Sequence, residues 1–76
     1  TLNKYNEYVM VALRTSEGVN ITYLEQNYDA DILSHFYFKV QTFENDKVLI
    51  NNNGFVRLTT EGILISNLII ESFIIV

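Results

Sequence analysis

His35 is the chain's single histidine, and there is no cysteine, so nucleophile–base chemistry has almost nothing to work with. The helix that would carry His35 offers only Lys39 on the same side, at i+4, and no convergent set of acid, base and nucleophile forms around it. A structural or surface histidine is the reading this supports. No His-x-x-His or paired-carboxylate spacing is present to hold a metal ion. Without thiolates, disulfides, zinc–thiolate sites and iron–sulfur ligation are excluded within the chain. Gly54 and Gly62 fall at a turn and a helix start, not in a phosphate-binding loop. What remains is a small charged set, Arg14, Glu17 and Arg57, able to pair across a surface. Arg14, near a helix C-terminus, also has a purely structural role available through the helix dipole and carbonyl capping. No residue is expected to be catalytic, cofactor-binding or metal-ligating, and the chain by itself is not expected to be an enzyme.

Those residues must be positioned by a small number of elements. The 76-residue length gives one domain spanning 1–76, and 49% hydrophobic with 13% aromatic residues is enough for a core. Leu2, Tyr5, Val9, Ala12 and Leu13 recur at helical spacing, predicting a first helix over 3–14. Gly18 suits the reversal that follows. A short second helix over 21–28 can be capped by Asn20 or by Thr22, whose spacing to Glu25 matches a capping box. Ile32, Leu33, Phe36, Val40 and Phe43 share one face of a third helix over 31–45, capped by Asp29 or Asp31. Asn45 is expected to adopt the left-handed conformation that ends it. Two β-rich runs, 47–51 and 55–58, flank Asn52-Asn53-Gly54, whose Asn-Gly pair signals a type I′ hairpin. Thr59 or Thr60 then caps a last helix over 60–75. The class is α+β, mostly α, and winged helix-turn-helix-like: three helices, a β-hairpin wing and a C-terminal helix.

Winged domains often bind DNA, but the charge argues against it here. The net charge is −4, with five Lys/Arg against nine Asp/Glu, whereas phosphate binding calls for a basic stripe. The outward face of the third helix offers Ser34, Phe38, Gln41, Thr42 and Asn45, a poor set for guanine edges. Phe38, with His35 and Thr42 one turn to either side, is instead a candidate contact surface, or simply a lone exposed aromatic. No nucleic acid is expected as a partner.

The last helix is apolar almost all round, with Thr60, Asn67 and Glu71 in one narrow stripe. Such a helix is normally covered on most sides, and one small domain covers only one of them. Ile65 and Ile69 are therefore candidate contacts to a second domain or a twin subunit. A membrane span is not expected, because the run Ile63–Val76 holds Asn67 and Glu71 and falls short of about 20 apolar residues. No signal peptide is visible in the polar Thr1-Leu2-Asn3-Lys4 start, and the lack of cysteine fits a reducing compartment, so a cytoplasmic location is expected. The start without Met fits either an excised domain of a longer chain or processing of the terminus.

Two segments carry a family resemblance. Leu13-Arg14-Thr15-Ser16-Glu17-Gly18-Val19-Asn20 follows a helix beginning Glu7-Tyr8-Val9-Met10, and Arg57-Leu58-Thr59-Thr60-Glu61-Gly62-Ile63-Leu64-Ile65-Ser66-Asn67 comes later. Together they resemble the C-terminal domain of oxygen-independent coproporphyrinogen III oxidase and its heme-chaperone relatives, radical S-adenosylmethionine proteins. The resemblance runs from about Asn6 to Phe73. The E-Y-x-M-x-x-L-R-T-S-E-G piece is the specific part, while L-T-x-x-G is common to many winged domains. Glycines usual in the family after the second and third helices are replaced here by Tyr28-Asp29 and Asn45-Asp46.

In that family a catalytic barrel holds a 4Fe-4S cluster through a three-cysteine motif that this chain lacks. The resemblance thus implies a non-catalytic accessory domain of an oxidoreductase of porphyrin and heme biosynthesis. The cluster and S-adenosylmethionine would belong to the barrel and no cofactor to this chain. The implied partner is that barrel, which the domain would dock on through its last helix, helping to shape the substrate cleft. Arg14, Glu17, Phe38, Arg57, Ile65 and Ile69 are the candidate interdomain or cleft contacts. A free-standing winged-helix regulator or a homodimerising module is the alternative.

Overall fold

The computed structural model describes the backbone of residues 2–75, so Thr1, Val76 and the side chain of Leu2 lie outside the described residues. In chain order the elements are α1 (Leu2–Ala12), β1 (Val19–Asn20), α2 (Ile21–Asn27), α3 (Ala30–Asn45), β2 (Leu49–Asn52), β3 (Phe55–Leu58), α4 (Thr60–Leu64) and α5 (Ser66–Phe73). The protein is α+β and mostly helical, with one small antiparallel sheet. The expected sequence of three helices, a hairpin and a helical C-terminal region is present.

Side-chain caps fix where the helices begin. Asn20, Asp29 and Thr59 each sit in extended backbone and accept a hydrogen bond from the N–H three residues on, at Tyr23, Ile32 and Gly62. These three are the caps, rather than Thr22, Asp31 or Thr60, because a cap residue must itself stand outside the helix. The stripe on α1 packs inward as its spacing predicts: Tyr5, Val9, Ala12 and Leu13 are buried. From α3, Phe36 and Val40 are buried, with Ile32, Leu33 and Phe43 against the same core.

The end of α3 differs from expectation. The left-handed residue is Lys47, at φ 64°, and not Asn45, which stays helical. The Val48 N–H donates to the Phe43 carbonyl (3.1 Å) and the Lys47 N–H to the Glu44 carbonyl (3.0 Å). That is a Schellman closure with Lys47 in the position glycine usually takes.

The hairpin forms as read. Asn53 and Gly54 have φ of 56° and 86°, Asn52 pairs with Phe55, and the loop is the two-residue primed type. A third strand was not expected: β1 pairs antiparallel to β3 through Val19↔Val56, placing β3 in the centre of the sheet. Two residues are too few to show alternation, and the pairing depends on a partner far along the chain.

The last helix also differs. Instead of one helix over 60–75 there are two, broken at Ile65 (φ −122°, ψ 31°). α4 is pinned at its start, where Gly62 lies so close to the Val48 carbonyl that a Cβ would sit 2.0 Å from it. α5 must take another direction to bury Ile69, Ile70 and Phe73 between α1 and α3. Phe73 stacks with Phe36 (5.3 Å) and Phe43 (5.9 Å). Helix ends at Phe73, and the tail turns back to α1. There the Asn6 side chain donates to the Ile75 carbonyl (2.8 Å) and accepts from the Ile75 N–H (2.9 Å).

Candidate functional site

The two segments singled out in the sequence meet in space. Leu13, Arg14, Thr15 and Ser16 from the turn after α1 face Arg57, Leu58, Ile63 and Ser66 from β3 and the α4–α5 region across a groove of about 510 Å³. Two glycines make this possible. A Cβ on Gly18, at φ 88°, would sit 2.1 Å from the Val56 carbonyl and 2.8 Å from Arg57 Cβ, so only glycine lets the turn lie flat on β3. Gly62 does the same for α4 against the backbone of Val48. The Thr15 hydroxyl shapes the turn from within, donating to the Ala12 carbonyl (2.7 Å) and accepting from the Gly18 N–H (3.0 Å).

Of the candidate charged set, Arg14 and Arg57 line this groove. Glu17 lines an adjoining hollow of about 360 Å³, which it shares with Arg57 and the hairpin tip. The surface pairing considered for the three does not form: among the described residues no carboxylate lies within 4.0 Å of either guanidinium. Arg14 reaches back to the Met10 carbonyl at 3.4 Å, the structural role open to it at a helix end. Arg57 is half-buried and makes no side-chain hydrogen bond among the described residues. Alternation along β3 explains its placement, since buried Val56 points to the core and Arg57 to the other face.

The apolar candidates divide. Ile65 is exposed, but Ile69 is 0% exposed and belongs to the core. The break at Ile65 shifts the phase of the helix, so these two no longer share a face. Ile69 therefore cannot meet a neighbour. The outward positions are Ile63, Leu64 (83% exposed), Ile65 and Leu68 (65% exposed). They form an apolar surface around the α4–α5 junction that adjoins the groove through Ile63.

Phe38 lies apart, on α3, exposed, with the Lys39 ammonium over its ring at 5.9 Å. His35 Nε2 is buried without a hydrogen-bond partner among the described residues. Beside it, Tyr37 donates to Glu25 Oε2 (2.8 Å), tying α3 to α2. Burial first, and then that carboxylate, hold the Tyr37 phenol above its ordinary pKa.

A 4Fe-4S cluster does not fit the residues present. It needs cysteine thiolates, of which there are none, and no group of three potential ligands clusters among the described residues. No described helix is long and apolar enough to cross a membrane. Residues 2–65 match the family described as HemN C-terminal domain. The match stops one residue before α5, the helix that supplies Ile69, Ile70 and Phe73 to the core. No curated protein and no solved structure matches the chain.

Proposed function

We propose a docking role for this chain, which belongs to the HemN C-terminal domain family: it is a non-catalytic accessory domain that packs on the barrel of a coproporphyrinogen oxidase-like radical S-adenosylmethionine protein and helps to shape its cleft. The observation that carries this reading is the outward apolar surface of Ile63, Leu64, Ile65 and Leu68. Apolar side chains grouped into one surface patch are a mark of interaction sites, whereas scattered single ones are not. Covering a leucine stabilises a complex by up to about 2 kcal/mol, so four such residues can supply a working interface. Cluster and S-adenosylmethionine chemistry would fall to the barrel, because this chain has no cysteine to hold a cluster. The net charge of −4 and the unbasic outward face of α3 leave duplex DNA without the phosphate contacts it needs.

The test uses a protein that carries both barrel and domain, with Leu64→Asp and Leu68→Asp introduced together. Both side chains point away from this domain's own core, so the domain stays folded while docking fails. Limited proteolysis should then cut between the two parts faster than in the parent. An unchanged cleavage rate would remove the docking surface. Sedimentation of the 76-residue chain alone provides the second arm. A dimer abolished by the same pair would replace the barrel with a second copy.

A further inference from the structure

We propose that the groove between the α1–β1 turn, β3 and α4 is a binding site for a small organic carboxylate with an apolar body. Nothing in the docking reading requires it: the two surfaces share only Ile63, and Leu64, Ile65 and Leu68 do not line the groove. Charge distribution is the first observation. The chain is acidic overall, with only five cationic side chains, yet both of its arginines line this one groove and no Asp or Glu lines it. Neither guanidinium has a carboxylate partner among the described residues; Arg57 makes no side-chain hydrogen bond there, and Arg14 spends one N–H on the Met10 carbonyl at 3.4 Å and keeps its others for a ligand. Arg57 is half-buried, which reduces the water competing for its charge and strengthens any contact it makes.

The rest of the lining selects among anions. The hydroxyls of Ser16 and Ser66 hold no hydrogen bond among the described residues and can donate to an oxyanion, whereas that of Thr15 is already committed to the turn. Leu58 and Ile63 supply an apolar wall. A phosphate, strongly hydrated and lacking an apolar part, gains nothing from that wall. An acid with a hydrocarbon or aromatic body satisfies both ends. The volume of about 510 Å³ lies within the ordinary range for small-molecule sites. Glu17, in the adjoining hollow beside Arg57, repels a second anion there and restricts the site to one carboxylate.

The test is an amide-resonance titration of the 76-residue chain with three probes: 4-phenylbutyrate, its uncharged amide, and inorganic phosphate. Phenylbutyrate should shift the amides of 14–16 and 57–63 and saturate at about millimolar concentration, as its size allows. The amide and phosphate should bind at least about tenfold more weakly, the scale of one lost charge-assisted contact. Arg57→Gln and Arg14→Gln should each weaken phenylbutyrate by a similar factor while the spectrum stays dispersed. Arg14 is exposed, so its variant remains informative even if the one at Arg57 disturbs the strand. Equal binding of acid and amide would reduce the groove to an apolar cleft. Equal binding of phosphate, shifts confined to other residues, or two variants that bind like the parent would each overturn the proposal.

Discussion

Replacing Gly62 with alanine sets two effects against each other, and the structure decides which wins. In an ordinary helix the change stabilises by about 1 kcal/mol, because alanine loses less backbone freedom on folding than glycine. Here the new Cβ would lie 2.0 Å from the Val48 carbonyl oxygen and 3.0 Å from its carbon. The obstacle is backbone, so no side chain can swing aside. α4 would have to retreat by about 1 Å or more, at a cost of about 1–3 kcal/mol for an overpacked contact. The retreat also stretches the Thr59 N–H bond to the Val48 carbonyl (3.1 Å) and the Thr59 hydroxyl bond to the Lys47 carbonyl (2.9 Å), worth about 1 kcal/mol each. Set against the propensity gain, the expected outcome is a net loss of about 2–4 kcal/mol. For a domain of this size that lowers the thermal midpoint by roughly 10–25 °C. Urea and thermal unfolding followed by circular dichroism measure it. A midpoint equal to or above the parent's would show that α4 does not rest on Val48, and the account of the helix break at Ile65 would fall with it.

Two further substitutions probe residues at odds with their surroundings, one with its backbone conformation and one with its burial. Lys47→Gly should stabilise the protein by about 1 kcal/mol, since a side chain at φ 64° is strained where glycine is not, and a lowered thermal midpoint would refute this. Tyr5 is buried with a hydroxyl that has no partner among the described residues, so Tyr5→Phe should be neutral or stabilising by up to about 1 kcal/mol near neutral pH. Burial raises the pKa of the Tyr5 phenol, so the fold favours its neutral form. Its stability contribution is present below the unfolded value of about 10 and is lost as pH rises from there towards the folded value. Urea unfolding at about pH 8 and about pH 11 should therefore show a smaller alkaline loss in the phenylalanine variant than in the parent. A loss of more than about 1 kcal/mol near neutral pH would mean that the hydroxyl is bonded after all.

Features written in adjacent residues were legible in the sequence. The Asn53-Gly54 turn, the α1 and α3 core stripes and the three caps each depend on spacings of a few positions, and the structure differs only in choosing among neighbouring candidates. β1 was hidden because two residues carry no period, and its pairing with β3 is set by the flat turn at Gly18. The position of the left-handed residue was hidden because lysine gives no hint of positive φ. The break at Ile65 was hidden because isoleucine and leucine surround it on every side, so no pattern marks where a wheel loses phase. That one break moved Ile69 inward and left Leu64 and Leu68 outside. The groove was half legible: its two segments stood out as motifs and its arginines were singled out, but their meeting depends on two close approaches that only coordinates reveal.

The clasp between Asn6 and Ile75 has a mechanical consequence. The first half of α1 and the tail after α5 are fastened to each other by a reciprocal pair of hydrogen bonds. A pull that separates the start of α1 from the tail therefore loads that fastening, and then the seam between α1 and α5, before it reaches the hairpin. The groove, built from the far ends of α1 and β3 and the start of α4, is sheltered from pulling for as long as the clasp holds.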